Sequence, residues 1–137
     1  MSNERLFIDT AFIQALLNRS DQYHTQAKAL LPRVREAAEV VVTEAVLVEV
    51  GNALSAINRP AAVQFIKQCY HTDNLQVVTV DTPLLTRALD LYHRRPDKSW
   101  GLTDCISFVV MQEQGLTDAL TIDVHFVQAG YRALLRY

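Results

Sequence analysis

Four acidic side chains in this sequence stand where folding alone has little use for them. Asp9 follows directly on the apolar run Leu6-Phe7-Ile8, and Asp123 follows Ala119-Leu120-Thr121-Ile122. Glu49 falls three residues after Val46 and four before Ala53. That spacing puts it along the apolar stripe (Val46, Val50, Ala53, Leu54, Ile57) of a helical stretch. Asp104 falls four residues before Phe108 and seven before Met111, again on an apolar face. A carboxylate facing a core is costly unless it is paired or bound to metal. Such breaks of the binary pattern are most expected at functional sites. If the four converge, their charges repel, so their pKa values rise or a cation binds. Oxygen donors suit hard divalent cations. Mg²⁺, held by carboxylates with several waters kept, serves phosphate chemistry. His24, His71, His93 and His125 show no zinc-ligand spacing, and His125 is expected at the surface or partly packed.

Each acid also has a plainer role to weigh. Asp9 and Asp123 suit helix N-caps, and Asp81 suits one better still, because Pro83 follows in the first helical turn. Asp104 and Glu44 sit where they complement a helix dipole. Glu49 is the hardest to explain away. Mid-helix, it neither caps nor meets the positive end of a dipole, so its plain alternative is a buried salt bridge.

The elements that must position these residues alternate in type. Leu6–Ile8 is a short buried strand, and Asp9-Thr10 lead into a helix from Ala11 to Leu17. A second helix starts at Asp21, and Val40–Val42 form a β-branched strand. Thr43 caps an apolar helix from Glu44 to about Ile57; Pro60 opens another to about Tyr70. Leu75–Val80 is a third strand, followed by a helix from Asp81-Thr82-Pro83 to about His93. Arg94–Gly101 is a loop, and Thr103 caps a helix of Asp104–Gln114 ended by Gly115. Ala119–Ile122 is a fourth strand, Asp123 to about Ala129 a short helix, and Ala133–Leu135 a possible fifth edge strand. Strands alternating with helices predict a parallel sheet covered on both faces. Ligands of such sheets sit beyond the carboxyl ends of the strands, where Asp9, Asp81 and Asp123 fall.

Composition narrows the class. The sequence has 137 residues, 50% hydrophobic and 20% charged, which fits one globular domain over 1–137. No apolar stretch approaches the roughly 20 residues of a spanning helix, and residues 1–5 are too polar for a secretory leader. Cys69 and Cys105 form neither a disulfide framework nor a zinc pattern, so they are expected as reduced thiols in a cytoplasmic protein. The formal net charge of −2 argues mildly against a broad nucleic-acid grip, although a metal-filled acidic site with a basic rim binds a few phosphates.

Four segments resemble, in order, the motifs of PIN domains: Leu6-Phe7-Ile8-Asp9-Thr10, Thr43 through Glu49, Leu102-Thr103-Asp104-Cys105-Ile106-Ser107-Phe108, and Thr121-Ile122-Asp123-Val124-His125-Phe126. The match spans nearly the whole chain, and within the family it is most similar to VapC-like toxins of bacterial type II toxin–antitoxin systems. The resemblance implies a three-layer α/β/α domain with a central, mostly parallel sheet of four to five strands. It also implies an endoribonuclease dependent on Mg²⁺ or Mn²⁺. Asp9, Glu49, Asp104 and Asp123 would be its catalytic and metal-binding acids, with Thr10 and Thr121 in support. The implied partners are RNA, a cognate antitoxin and a second copy of the chain, with no membrane.

On this reading Asp9 and Asp104 bind the main ion, and Asp123 and Glu49 bind through water or a second ion. The ion activates a water for in-line attack on a phosphodiester. Arg94, Arg95 and Lys98 beside Trp100 invite a picture of phosphates gripped while the indole stacks on a base. A solvated basic turn with the Trp in the core is the preferred account. Rival functions are a PIN nuclease of RNA processing without an antitoxin, and a non-catalytic binding module of the same fold. A receiver-like phosphotransfer domain ranks below both. It would want paired acids after the first strand, where Thr10, Ala11 and Phe12 stand instead.

Overall fold

The computed structural model describes residues 2–136. Five parallel strands form one sheet: β1 (Arg5–Ile8), β2 (Glu39–Thr43), β3 (Leu75–Val78), β4 (Asp118–Leu120) and β5 (Arg132–Ala133), in the order β3-β2-β1-β4-β5. The helices are α1 (Thr10–Leu17), α2 (His24–Glu36), α3 (Glu44–Leu54), α4 (Arg59–Cys69), α5 (Thr82–Arg94), α6 (Leu102–Gln114) and α7 (Val124–Gln128), and the chain ends in a 3-10 turn, Leu134–Arg136. Right-handed crossovers send the β1-to-β3 connections over one face and the return from β3 over the other. Helix contacts follow that division: α1 meets α2 and α3, and α3 meets α4, while α6 meets α5 and α7. This is the three-layer α/β/α architecture that the sequence predicts.

Strands β1 and β2 are buried on both faces, which explains their continuous apolar runs: Leu6, Phe7, Val40, Val41 and Val42 are fully buried. In register, Phe7 lies beside Val41 on one side and Ala119 on the other. After β1 the connections leave in one direction, and the chain later returns to β1's other side as β4. The carboxyl ends of β1 and β4 therefore flank the sheet's topological switch point.

Several boundaries differ from the sequence reading. Helix α2 begins at His24, because Asp21 forms a local turn in which its carboxylate accepts from the Tyr23 N–H (2.8 Å). Helix α3 ends at Leu54, whose carbonyl accepts from both Ile57 and Asn58 N–H. Strand β3 stops at Val78, and the Val80 N–H turns instead to Glu44 Oε1 (3.1 Å). Helix α6 starts one residue before Thr103 and takes Gly101, not Thr103, as its N-cap. The cap of α3 by Thr43, whose hydroxyl accepts from Val46 N–H, and that of α5 by Asp81, which accepts from Leu84 N–H, are as the sequence predicts. Cys69 and Cys105 are buried free thiols. Among the described residues no helix is long and apolar enough to cross a membrane.

Candidate functional site

Asp9 is presented by the end of β1. It stands at the N-cap position of α1, yet its side chain makes no cap hydrogen bond. Its carboxylate is 5% exposed and its Oδ2 accepts from the Thr121 hydroxyl at 2.7 Å. Thr121 is fully buried just beyond β4, and its oxygen also accepts the backbone N–H of Asp123 at 3.0 Å. One hydroxyl thus couples the ends of the two strands that flank the switch point. Asp123 in turn accepts the His125 N–H at 2.9 Å, starting α7. It caps a helix and faces the site at once.

Asp104 arrives from the other side, in the first turn of α6. Its Oδ2 accepts the Gly101 N–H at 3.0 Å, which fixes the carboxylate against the start of the helix. Beyond it α6 is buried all round from Cys105 to Met111, so the helix cannot rotate the acid away. Asp104, Asp123 and His125 each offer a donor atom within 4.8 Å of the others.

Glu49 departs from its expected environment: it is exposed rather than core-facing. The stripe that placed it inward leaves out Leu47, about 160° round the helix from Glu49, and runs on to Ile57, which lies past the end of α3 and is 58% exposed. The residues α3 actually buries are Val46, Leu47, Val50 and Leu54. At about 100° per residue that set is centred toward Leu47, and Glu49 falls on the flank. The buried salt bridge weighed for it is therefore absent. There its Oε1 accepts from the Thr10 hydroxyl at 2.7 Å, so the residue after Asp9 ties Glu49 to the same strand end. Asp81 remains a helix cap, as expected, and takes no part.

Electrostatics set this group apart from ordinary surface acids. Burial, before any other cause, pushes the Asp9 carboxyl up to about 7; Thr121 and the Thr10 N–H oppose the rise, and Asp104 and Asp123 add to it. Burial also raises Asp104, against the lowering pull of Gly101 and His125. Among the described residues no lysine or arginine forms an ion pair with Asp9, Glu49, Asp104 or Asp123. Elsewhere the same chain pairs acids readily, as Arg5 with Glu39 and Arg87 with Glu113. Uncompensated carboxylates at one strand end form a donor set that fits a hard divalent cation.

His125 is the residue that sequence reasoning misses. Its Nδ1 lies 2.9 Å from Asp104 Oδ2 and 3.4 Å from Asp123 Oδ1, and its Nε2 lies 3.3 Å from Ser99 Oγ. The available signal is its place two residues after a strand-end Asp that caps its own N–H. Trp100 does not stack outward. It is 6% exposed, packs edge-on against Phe108 (centroids 4.9 Å apart) and donates from Nε1 to Gln128. Arg95 lies over the indole and pairs with Asp97, while Arg94 pairs with Asp90. A groove of about 930 Å³ adjoins this loop, lined in part by Leu89, Tyr92, His93, Lys98 and Ser99. It contains none of the four acids and touches the site only through Ser99.

The profile of the PIN domain matches residues 6–130. The chain belongs to the PIN-domain family. Among curated proteins it is 28% identical over 128 residues to the 23S rRNA-specific endonuclease VapC20 of Mycobacterium tuberculosis, covering 92% of this chain and 95% of that protein. The crystal structure of VapC20, described as a sarcin-ricin loop cleaving toxin, superposes with a TM-score of 0.82 over the same shares. FitAcB from Neisseria gonorrhoeae shares the fold at 15% identity and a TM-score of 0.63, covering 93% of this PIN domain and 95% of that chain. VapBC2 from Rickettsia felis, solved bound to a DNA fragment from its promoter, shares it at 11% identity and 0.62, over 94% and 96%.

Proposed function

We propose that this PIN domain is a metal-dependent endoribonuclease and the toxin of a type II toxin–antitoxin pair, with structured ribosomal RNA as its substrate class. The observation that carries the nuclease reading is the set of acids at the switch point, Asp9, Asp104 and Asp123, buried or half-buried without a lysine or arginine partner among the described residues. The likeness to VapC20 over nearly the full length of both chains supports the toxin role and the RNA class.

Asp9, Asp104 and Asp123 would hold the ion, and Glu49 would reach it through water or a second ion. Bound Mg²⁺ or Mn²⁺ supplies Lewis-acid activation of a water and charge stabilisation at phosphorus. Thr121 aims the Asp9 carboxylate by donating to it and favours its ionised form against the effect of burial. Thr10 donates to Glu49 and fixes the direction of its exposed carboxylate, which would serve as the proton acceptor for an attacking water. Lys98, beside Ser99 at the edge of the site, steers the phosphate backbone toward it. Exposed apolar side chains on α3, on α4 and in the turn between them (Val48 63%, Val63 48%, Ile57 58%) support a homodimer or antitoxin surface there.

The test of the toxin reading is conditional expression in a bacterial host. Wild type arrests growth, and Asp104→Asn, expressed to the same level, does not. Equal growth of both strains, with soluble wild-type protein present, would refute it.

A further inference from the structure

We propose that His125 Nδ1 is a direct ligand of the ion held by Asp104 and Asp123. The site is then a mixed nitrogen–oxygen centre that prefers Mn²⁺ to Mg²⁺. This inference rests on the metal-dependent reading above and sharpens it, because an all-carboxylate site would discriminate less between the two ions.

Geometry carries the argument. Neighbouring donors around an octahedral ion with bonds of about 2.1 Å lie about 3.0 Å apart. His125 Nδ1 stands 2.9 Å from Asp104 Oδ2 and 3.4 Å from Asp123 Oδ1, each close to the spacing of neighbouring corners, and the donor atoms of the three residues lie within 4.8 Å of one another. The ring is held from three directions. Its backbone N–H is tied to Asp123 Oδ1, its ring to Asp104, and its Nε2 lies 3.3 Å from Ser99 Oγ. A ligating imidazole keeps its remaining proton on the far nitrogen, where an outer partner fixes the tautomer. Ser99 Oγ is that partner: with the proton on Nε2, the Nδ1 lone pair faces the two carboxylates. Without an ion the tautomer reverses, and Nδ1–H donates to Asp104. Imidazole nitrogen suits transition ions, whereas carboxylate and water suit Mg²⁺, so one nitrogen among oxygens moves selectivity toward Mn²⁺.

Electron spin echo envelope modulation of the Mn²⁺-loaded full chain reads this directly. The wild type should show strong coupling to nitrogen-14, replaced by a nitrogen-15 pattern when only histidine is isotopically labelled and lost in His125→Ala. In parallel, calorimetric titration should give a ratio of Mg²⁺ to Mn²⁺ dissociation constants that narrows by at least ~10-fold in His125→Ala. Mn²⁺ bound without nitrogen coupling in the wild type would overturn the assignment of His125 and leave the nuclease reading standing. Coupling that survives in His125→Ala would assign the nitrogen to His24, His71 or His93 and overturn it equally. Failure of the wild type to bind either ion would overturn this inference and the metal-dependent reading together.

Discussion

Replacing Asp9 with asparagine should stabilise the metal-free protein at the pH where the enzyme works. Asp9 is buried at the end of β1 and its carboxyl is pushed from an ordinary 3.8 to about 7. In the unfolded chain it has lost its proton by about pH 5; in the folded protein it keeps it to about 7. Between those values the folded state binds more protons than the unfolded state, so stability falls as pH rises. This contribution is fully present below about 3.8 and is lost as pH climbs through about 7. At about 1.4 kcal/mol per pH unit the whole effect is at most about 4 kcal/mol. Asparagine removes the charge but keeps only one oxygen to accept from Thr121 and the Thr10 N–H, so about 2 kcal/mol is the expected net gain at pH 8. For a domain of this size that is a rise in Tm of about 5–10 °C. Urea and thermal unfolding in chelator, from pH 5 to 8, measure it. Wild type should lose stability across the range, and Asp9→Asn should lose less, with the two nearly equal at pH 5. Added Mn²⁺ should reverse the order, since the ion rewards the charge that folding alone penalises. A variant less stable than wild type at pH 8, or a difference independent of pH, would refute the reasoning.

Three further outcomes follow from the same geometry. Thr121→Val removes the hydroxyl that Asp9 and the Asp123 N–H share. It should cost about 2 kcal/mol in unfolding free energy and weaken Mn²⁺ binding ~10-fold, by urea titration and calorimetry; unchanged affinity would deny Thr121 its positioning role. Lys98→Ala should weaken single-stranded RNA binding and lower the slope of log K against log salt by about 0.7, in fluorescence titrations with the ion present and cleavage blocked by Asp104→Asn; an unchanged slope would remove Lys98 from the phosphate path. Asp104→Asn keeps an oxygen for the Gly101 N–H, so its stability in chelator should stay within about 1 kcal/mol of wild type while cleavage is lost. Unfolding instead would show the carboxylate to be structural.

Much of this fold is legible because its signals are local. Thr43 and Asp81 cap their helices as their neighbours predict, and β1 and β2 are continuous apolar runs because both faces are covered. The convergence of Asp9 and Asp123 follows once the sheet is parallel with β4 beside β1, a pairing between residues more than a hundred positions apart. Glu49 reads as inward only while Leu47 is left out of the stripe, since burial of Leu47 turns α3 away from Glu49; the stop at Leu54, short of Ile57, depends on turn hydrogen bonds that periodicity does not encode. Gly101 displaces Thr103 as a cap because the Asp104 carboxylate reaches back to the Gly101 N–H. His125 stays hidden for a different reason. Its main partner, Asp104, lies 21 residues away, so ligand-spacing rules for histidine have nothing to register.

The proposed role of the acids at the switch point is to cut RNA with the help of a divalent ion. Purified protein incubated with ribosomes and with a mixed RNA pool, in Mg²⁺, in Mn²⁺ and in chelator, tests it most directly beside Asp104→Asn. Discrete cleavage of ribosomal RNA is expected with either ion, with none in chelator and none by the variant in any condition. Cleavage that persists in chelator, or that Asp104→Asn performs as well as wild type, would contradict it.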